Sequence, residues 1–157
     1  MKSLIIGGAG FVGAYLVRHL KNDLGQDVVV TKMPREQVKV DGVDMNSIQV
    51  RDLDILQKES IVALFREIRP DYIYHLAAQS SVSVSWKNPA LTVDVNVKGG
   101  VNILEALREL KISLAFCLLV QEKNMDIFYR VRYRLRKAMC RVRKYLCSNE
   151  SLSEYAC

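Results

Sequence analysis

Three glycines, Gly7, Gly10 and Gly13, recur three residues apart inside Gly7-Gly8-Ala9-Gly10-Phe11-Val12-Gly13. That spacing suits a loop wrapped around a pyrophosphate. Gly7 permits the tight turn, Gly10 lets the backbone approach the anion, and Gly13 lets the following helix pack on the preceding strand. The helix would then offer the phosphates its free N–H groups and its dipole, with Phe11 and Val12 in its first turn. The competing reading is an ordinary glycine turn. Context argues against it: Leu4-Ile5-Ile6 reads as an apolar strand before the loop, and Ala14 to Lys21 carries apolar residues at helical spacing after it. The choice of nicotinamide cofactor is made at the end of the next strand, where a carboxylate binds ribose hydroxyls and a basic residue suits a 2′-phosphate. Val30-Thr31-Lys32-Met33-Pro34-Arg35 holds no carboxylate. Lys32 and Arg35 are therefore the expected phosphate partners and NADP the expected cofactor. NAD is the alternative if both are solvated surface cations.

The elements that must position these residues follow from periodicity. Lys2 to Ile6 and Asp27 to Thr31 read as buried strands, Lys32 to Asp44 as a polar loop or minor strand, and Ser47 to Arg51 as a third strand. Lys58 to Ile68 places Ile61, Leu64, Phe65 and Ile68 on one helical face, and Arg69-Pro70-Asp71 closes it. Tyr72 to Ala77 is the fourth strand, followed by a Ser-rich loop from Gln79 to Asn88 and a long helix from Pro89 to Leu110. Strands separated by helices at this spacing predict an α/β doubly wound parallel sheet, a Rossmann fold. A fifth strand fits residues 112–120, and residues 122–146 pass as a basic helix with poor amphipathic order.

Charge and punctuation divide the chain. Residues 1–120 hold 14 Lys+Arg and 13 Asp+Glu, whereas residues 121–157 hold 9 and 4, a net charge of +5. Every glycine lies at or before Gly100 and every proline at or before Pro89. The expected organisation is an incomplete NAD(P)-binding domain over 1–120 and a basic tail over 121–157, irregular or helical. Cys117, Cys140, Cys147 and Cys157 form no Cys-x-x-Cys pair and have no neighbouring histidine, so reduced thiols are expected and no metal. Without a membrane-length apolar run or a leader, the expected location is cytoplasmic. A nucleic-acid arm over 130–144 is a weaker reading: the charge comes without a groove-reading motif.

The glycine spacing resembles the extended short-chain dehydrogenases/reductases, the NAD-dependent epimerase/dehydratase family. Three further segments carry the resemblance through residue 112: Asp54-Ile55, His75-Leu76-Ala77-Ala78-Gln79 and Asn96-Val97-x-Gly99. It implies that the Asp54 carboxylate accepts from the adenine amino group and that Ile55 covers the ring. An Asp that caps the following helix is the structural alternative. It further implies that Leu76, Ala77, Ala78 and Gln79 pass close to the cofactor, with Asn96 supporting them. Ala78-Gln79-Ser80-Ser81-Val82, with Ser85-Trp86 and Pro89, resembles the branch of GDP-4-keto-6-deoxymannose reductase and GDP-mannose 4,6-dehydratase. Ser80 and Ser81 become candidates for substrate or cofactor contacts, with hydroxyls capping the loop as the alternative. The resemblance implies a nucleotide-sugar substrate, hydride transfer at sugar C4 and a homodimer.

Family chemistry also uses a Tyr-x-x-x-Lys pair, in which the tyrosine moves a proton and the lysine lowers its pKa. Tyr133 and Lys137 match the spacing but sit in Arg-Val-Arg-Tyr-Arg-Leu-Arg-Lys, without the family's surroundings. The chain is therefore expected to bind cofactor without turning over. A shift of coding frame near Ser113 fits the composition break, because freely chosen synonymous codons for the following segment can spell a family-like Gly-Ser-Gly-Glu-Glu-Tyr-Gly. The codons of the source gene decide that point.

Overall fold

An uninterrupted apolar strand is buried on both faces only inside a covered parallel sheet, and Leu4-Ile5-Ile6 occupies that position. The computed structural model describes residues 1–112 in full and the backbone of residues 115–122 and 125–129. Strand β1 (Lys2–Ile6) pairs in parallel with β2 (Asp27–Lys32) on one side and β4 (Tyr72–His75) on the other. Strand β3 (Gln49–Asp52) adds outside β2, and β5 (Ala115–Glu122) adds outside β4, both parallel. With β6 (Met125–Tyr129) antiparallel to β5, the order is β3-β2-β1-β4-β5-β6. Five parallel strands in the order 3-2-1-4-5 are the doubly wound arrangement expected from the sequence.

Strand periodicity sends alternate residues into two cores. Leu4, Ile6 and Ile73 face α2 (Lys58–Ile68) and α5 (Gly99–Glu109), where Ile61, Phe65 and Ile103 meet them. Ile5, Val28 and Val30 face the opposite layer, where α1 (Phe11–Arg18) supplies Val17. Phe65 is fully buried, and truncating it to alanine would cost about 3–5 kcal/mol. Helix α2 keeps its expected bounds. It ends with Arg69 in the left-handed region, φ +48°, donating its N–H to the Phe65 carbonyl at 3.0 Å. Pro70 disfavours helical geometry at the preceding residue, so Arg69 takes the position glycine more often fills.

Three elements differ from expectation. The Ser-rich segment is not all loop: α3 (Val82–Lys87) forms there, because the Ser85 hydroxyl and N–H both return to the Ser81 carbonyl. The long helix is really α4 (Pro89–Val93), a π-helical turn at Asp94–Lys98, and α5. A similar π turn, His19–Asp23, follows α1. The third difference lies past the expected boundary at residue 120. Strand β5 continues to Glu122, and the start of the expected basic helix is instead β6, whose β-favouring Ile127-Phe128-Tyr129 adds to the open edge of β5. The rest of that expected helix lies outside the described residues.

Candidate functional site

The crossovers leaving β1 and β4 run to opposite sides of the sheet, which opens a crevice beyond their C-terminal ends. Two segments border it: the loop from Gly7 to Gly13 and the stretch from Leu76 to Ser81. Gly7 sits at φ +81°, and a Cβ there would lie 2.5 Å from both Cα and N of Ala77. The two backbones touch. A Cβ on Gly13 would lie 2.6 Å from Cα and O of Gly8, so α1 rests directly on the turn and not, as expected, on the strand before it. Gly8 itself would collide with Val30 Cγ1 at 2.5 Å. Its need for glycine was not read from the sequence, although a doubled glycine directly after a buried strand is a usable signal.

Gly10 is different. Its φ is −77°, and a Cβ would meet nothing closer than the Gly7 carbonyl oxygen at 3.8 Å. The fold does not need a glycine there. Gly10 is exposed, caps α1 without a side chain, and leaves the first-turn amides of that helix uncapped. An outward position lacking a Cβ, set over free amides, fits a bound pyrophosphate. Beside it Phe11 is 76% exposed and stands edge-on to Tyr15 at 4.9 Å, with Val12 exposed next to it.

At the ends of β2 and β3, Lys32 donates to Asp52 and to the Met33 and Pro34 carbonyls. Arg35 is exposed and forms no ion pair among the described residues. The nearby Glu36 carboxylate accepts from the Met33 N–H, closing the turn. Asp54 Oδ1 accepts from the Leu56 N–H at 2.9 Å, so the residue braces the turn before α2; Oδ2 makes no hydrogen bond among the described residues. Ile55 is only 5% exposed, which changes the expectation that its side chain covers a ring. It packs into the core against Gly99, where any Cβ would overlap it, and its carbonyl accepts from Asn102 Nδ2 at 2.9 Å.

The segment after β4 is held by two reciprocal amide clamps. Asn96 Oδ1 accepts from the Gln79 N–H at 2.7 Å while Nδ2 donates to the Gln79 carbonyl at 3.1 Å. The Gln79 side chain repeats the pattern on Ser81, accepting from its N–H and donating to its carbonyl. Asn96 thus positions the strip and spends its carboxamide doing so. Leu76 and Ala77 are half-buried, and Ala78 is exposed at the crevice. The Ser81 hydroxyl shares a hydrogen bond with that of Ser83, whereas the Ser80 hydroxyl is exposed and makes none among the described residues. Trp86 is 84% exposed. Beneath the strip His75 is buried, and desolvation pushes its imidazole down to about 4, so it is neutral at physiological pH. Tyr133 and Lys137 lie outside the described residues. Among the described residues no cluster of His, Cys, Asp or Glu could hold a metal. No helix there is long and apolar enough to cross a membrane.

The family profile described as GDP-mannose 4,6 dehydratase matches residues 4–121. The chain belongs to this family. Its place is in the N-terminal part of the extended short-chain dehydrogenases/reductases, the NAD-dependent epimerases and dehydratases. Among relatives, dTDP-glucose 4,6-dehydratase 1 of Escherichia coli strain K12 is 34% identical over 112 residues, covering 69% of this chain and 31% of the relative. CDP-paratose 2-epimerase of Salmonella typhi is 31% identical over 113 residues, covering 69% and 33%. Among solved structures, UDP-glucose 4-epimerase of Thermus thermophilus, in complex with NAD, superposes with a TM-score of 0.62 at 37% identity, over 72% of this chain and 35% of that one. The UDP-glucose 4-epimerase of Thermotoga maritima, with UDP-glucose, gives a TM-score of 0.64 at 26% identity, over 83% and 45%. This member of the epimerase/dehydratase family thus spans about a third of the length of the curated relatives it matches.

Proposed function

We propose that this chain is the cofactor-binding half of an NAD(P)-dependent GDP-sugar reductase or 4,6-dehydratase, acting in the cytoplasm. In this reading hydride moves between the nicotinamide and C4 of the sugar, and the chain holds the dinucleotide without completing the reaction. The observation that carries it is the contrast among the loop glycines. Gly7, Gly8 and Gly13 are demanded by packing, whereas no packing among the described residues requires a glycine at Gly10, which leaves room for a ligand there. Pyrophosphate would lie over Gly10 and the amides of Phe11 and Val12, with Asp54 Oδ2 turned to the adenine and Arg35 to a 2′-phosphate where the cofactor carries one. Ala77, Ala78 and Ser80 would line the nicotinamide end. When bound, the nicotinamide supplies the hydride chemistry; the residues named here bind and orient it.

The nucleotide-sugar class draws support from the relatives' own substrates, which are dTDP-, CDP- and UDP-linked sugars by name. GDP is favoured by the Ala78-to-Trp86 resemblance, and the reductase by the family-like string in the alternative frame. A non-catalytic dinucleotide binder is the second reading, because Tyr133 and Lys137 match the catalytic spacing without the family's surroundings. A second copy of this chain is the proposed partner. Val93, Val97, Val101 and Leu104 make an exposed apolar stripe along α4 to α5 at helical spacing, on the side away from the sheet. Titration of the chain with NADPH and NADH, read by nicotinamide fluorescence, tests the cofactor reading. Saturable binding supports it, and no binding of either overturns it.

A further inference from the structure

We infer that Asp52 sets the cofactor preference of this chain, by occupying Lys32 and by standing in for the carboxylate that β2 lacks. The inference rests on the reading that the crevice binds a nicotinamide dinucleotide.

Lys32 and Asp52 are register partners on neighbouring parallel strands, at the ends that border the crevice. Lys32 Nζ donates to Asp52 Oδ1 at 2.5 Å, to the Met33 carbonyl at 3.3 Å and to the Pro34 carbonyl at 3.5 Å. An ammonium has three N–H bonds to give. All three are committed within the protein, and the Lys32 side chain is only 18% exposed. A 2′-phosphate approaching this corner meets Arg35, which has no ion pair among the described residues, and a lysine already neutralised. It also meets the Asp52 carboxylate, whose side chain is 57% exposed and repels an anion. A ribose 2′-hydroxyl meets the opposite situation. Asp52 Oδ2 makes no hydrogen bond among the described residues and can accept from that hydroxyl, as a carboxylate at the end of β2 otherwise would. Asp52 therefore disfavours the phosphate twice and favours the hydroxyl once.

The test is a binding cycle on the full 157-residue chain, with NADPH and NADH titrated separately at low salt, where charge effects are least screened. Asp52→Asn removes the repulsion and releases Lys32. NADPH should bind about tenfold more tightly, equal to ~1.4 kcal/mol, with NADH unchanged or weaker. Lys32→Met added to Asp52→Asn should take back the part of that gain that a released Lys32 supplies and keep the part that comes from the lost repulsion. A cofactor ratio unmoved by Asp52→Asn overturns the assignment, as does a double variant that binds NADPH as tightly as Asp52→Asn alone. Circular dichroism checks folding, and Asp52→Ser replaces Asp52→Asn if that variant unfolds; if neither folds, the unaltered chain decides, and NADPH binding more tightly than NADH overturns the assignment. Failure of both cofactors to bind the unaltered chain overturns the dinucleotide reading itself, and this inference with it. Binding of both without a change in their ratio removes only the role of Asp52.

Discussion

Replacing Gly7 and Gly10 separately by alanine should separate folding from ligand binding within one loop. At Gly7 the backbone sits at φ +81°, a region that costs an L-residue about 1–2 kcal/mol. The new methyl would also overlap Ala77 Cα and N at 2.5 Å. Both are backbone atoms of the neighbouring strand's extension and cannot swing aside, so overpacking adds about 1–3 kcal/mol. The total of about 2–5 kcal/mol is a large part of the roughly 5–15 kcal/mol that holds a domain together. In urea, at ~1–3 kcal/mol per molar, the midpoint should fall by roughly 1–5 M. At Gly10 the φ of −77° is open to alanine and the closest atom is 3.8 Å away. Only the weaker capping preference of alanine is lost, about 0.5–1 kcal/mol. Gly10→Ala should therefore stay folded and lose most of its affinity for NADPH, because its methyl occupies the phosphate's place. Urea curves followed by circular dichroism, paired with NADPH titrations, read both axes. A Gly7→Ala chain as stable as the original, or a Gly10→Ala chain that binds as tightly, would refute the reasoning.

Acid should weaken the fold through His75. Its folded pKa is depressed from 6.5 to about 4, so its contribution is complete above 6.5 and is lost as pH falls towards 4. The loss is about 2 kcal/mol by pH 5 and about 3 kcal/mol at most; a His75→Asn chain with a parallel pH profile of urea midpoints would contradict it. Asn96→Leu should release both backbone groups of Gln79, costing about 1–2 kcal/mol and speeding exchange of the Gln79 amide, whereas Asn96→Asp should keep the bond to the Gln79 N–H. Paired Val97→Lys and Val101→Lys should shift a dimer to monomer in light scattering without lowering stability; unchanged mass would remove the stripe as an interface.

Much of this site was legible because its residues act through backbone geometry, which sequence spacing reports directly. Gly7 and Gly13 could be assigned because a tight turn and a close backbone contact leave few alternatives at those positions. Periodicity served equally well for α2, where four apolar positions on one face define the helix. It failed where a side chain rewrites the local backbone. Nothing in Ser81-x-x-x-Ser85 separates a loop from a short helix until the hydroxyl is seen bonded to the carbonyl four residues back. The commitments of polar groups were also hidden. Lys32 and Asp52 are 20 residues apart, and only strand register brings them together. Asn96 carried a family motif, but its employment on the Gln79 backbone depends on a π-helical turn that no periodicity announces.

The stretch from Asn96 to Asn102 fastens the strip after β4, one border of the crevice, to the turn after β3. At one end Asn96 grips Gln79; at the other Gly99 admits Ile55, and Asn102 ties the Ile55 carbonyl. One continuous piece of helix therefore works as a caliper, fixing the gap between the turn after β3 and the strip after β4. Closing or opening that gap would require bending the helix or breaking an anchor. A long, extended ligand spanning it would meet jaws already set, and would lose little entropy to arranging them.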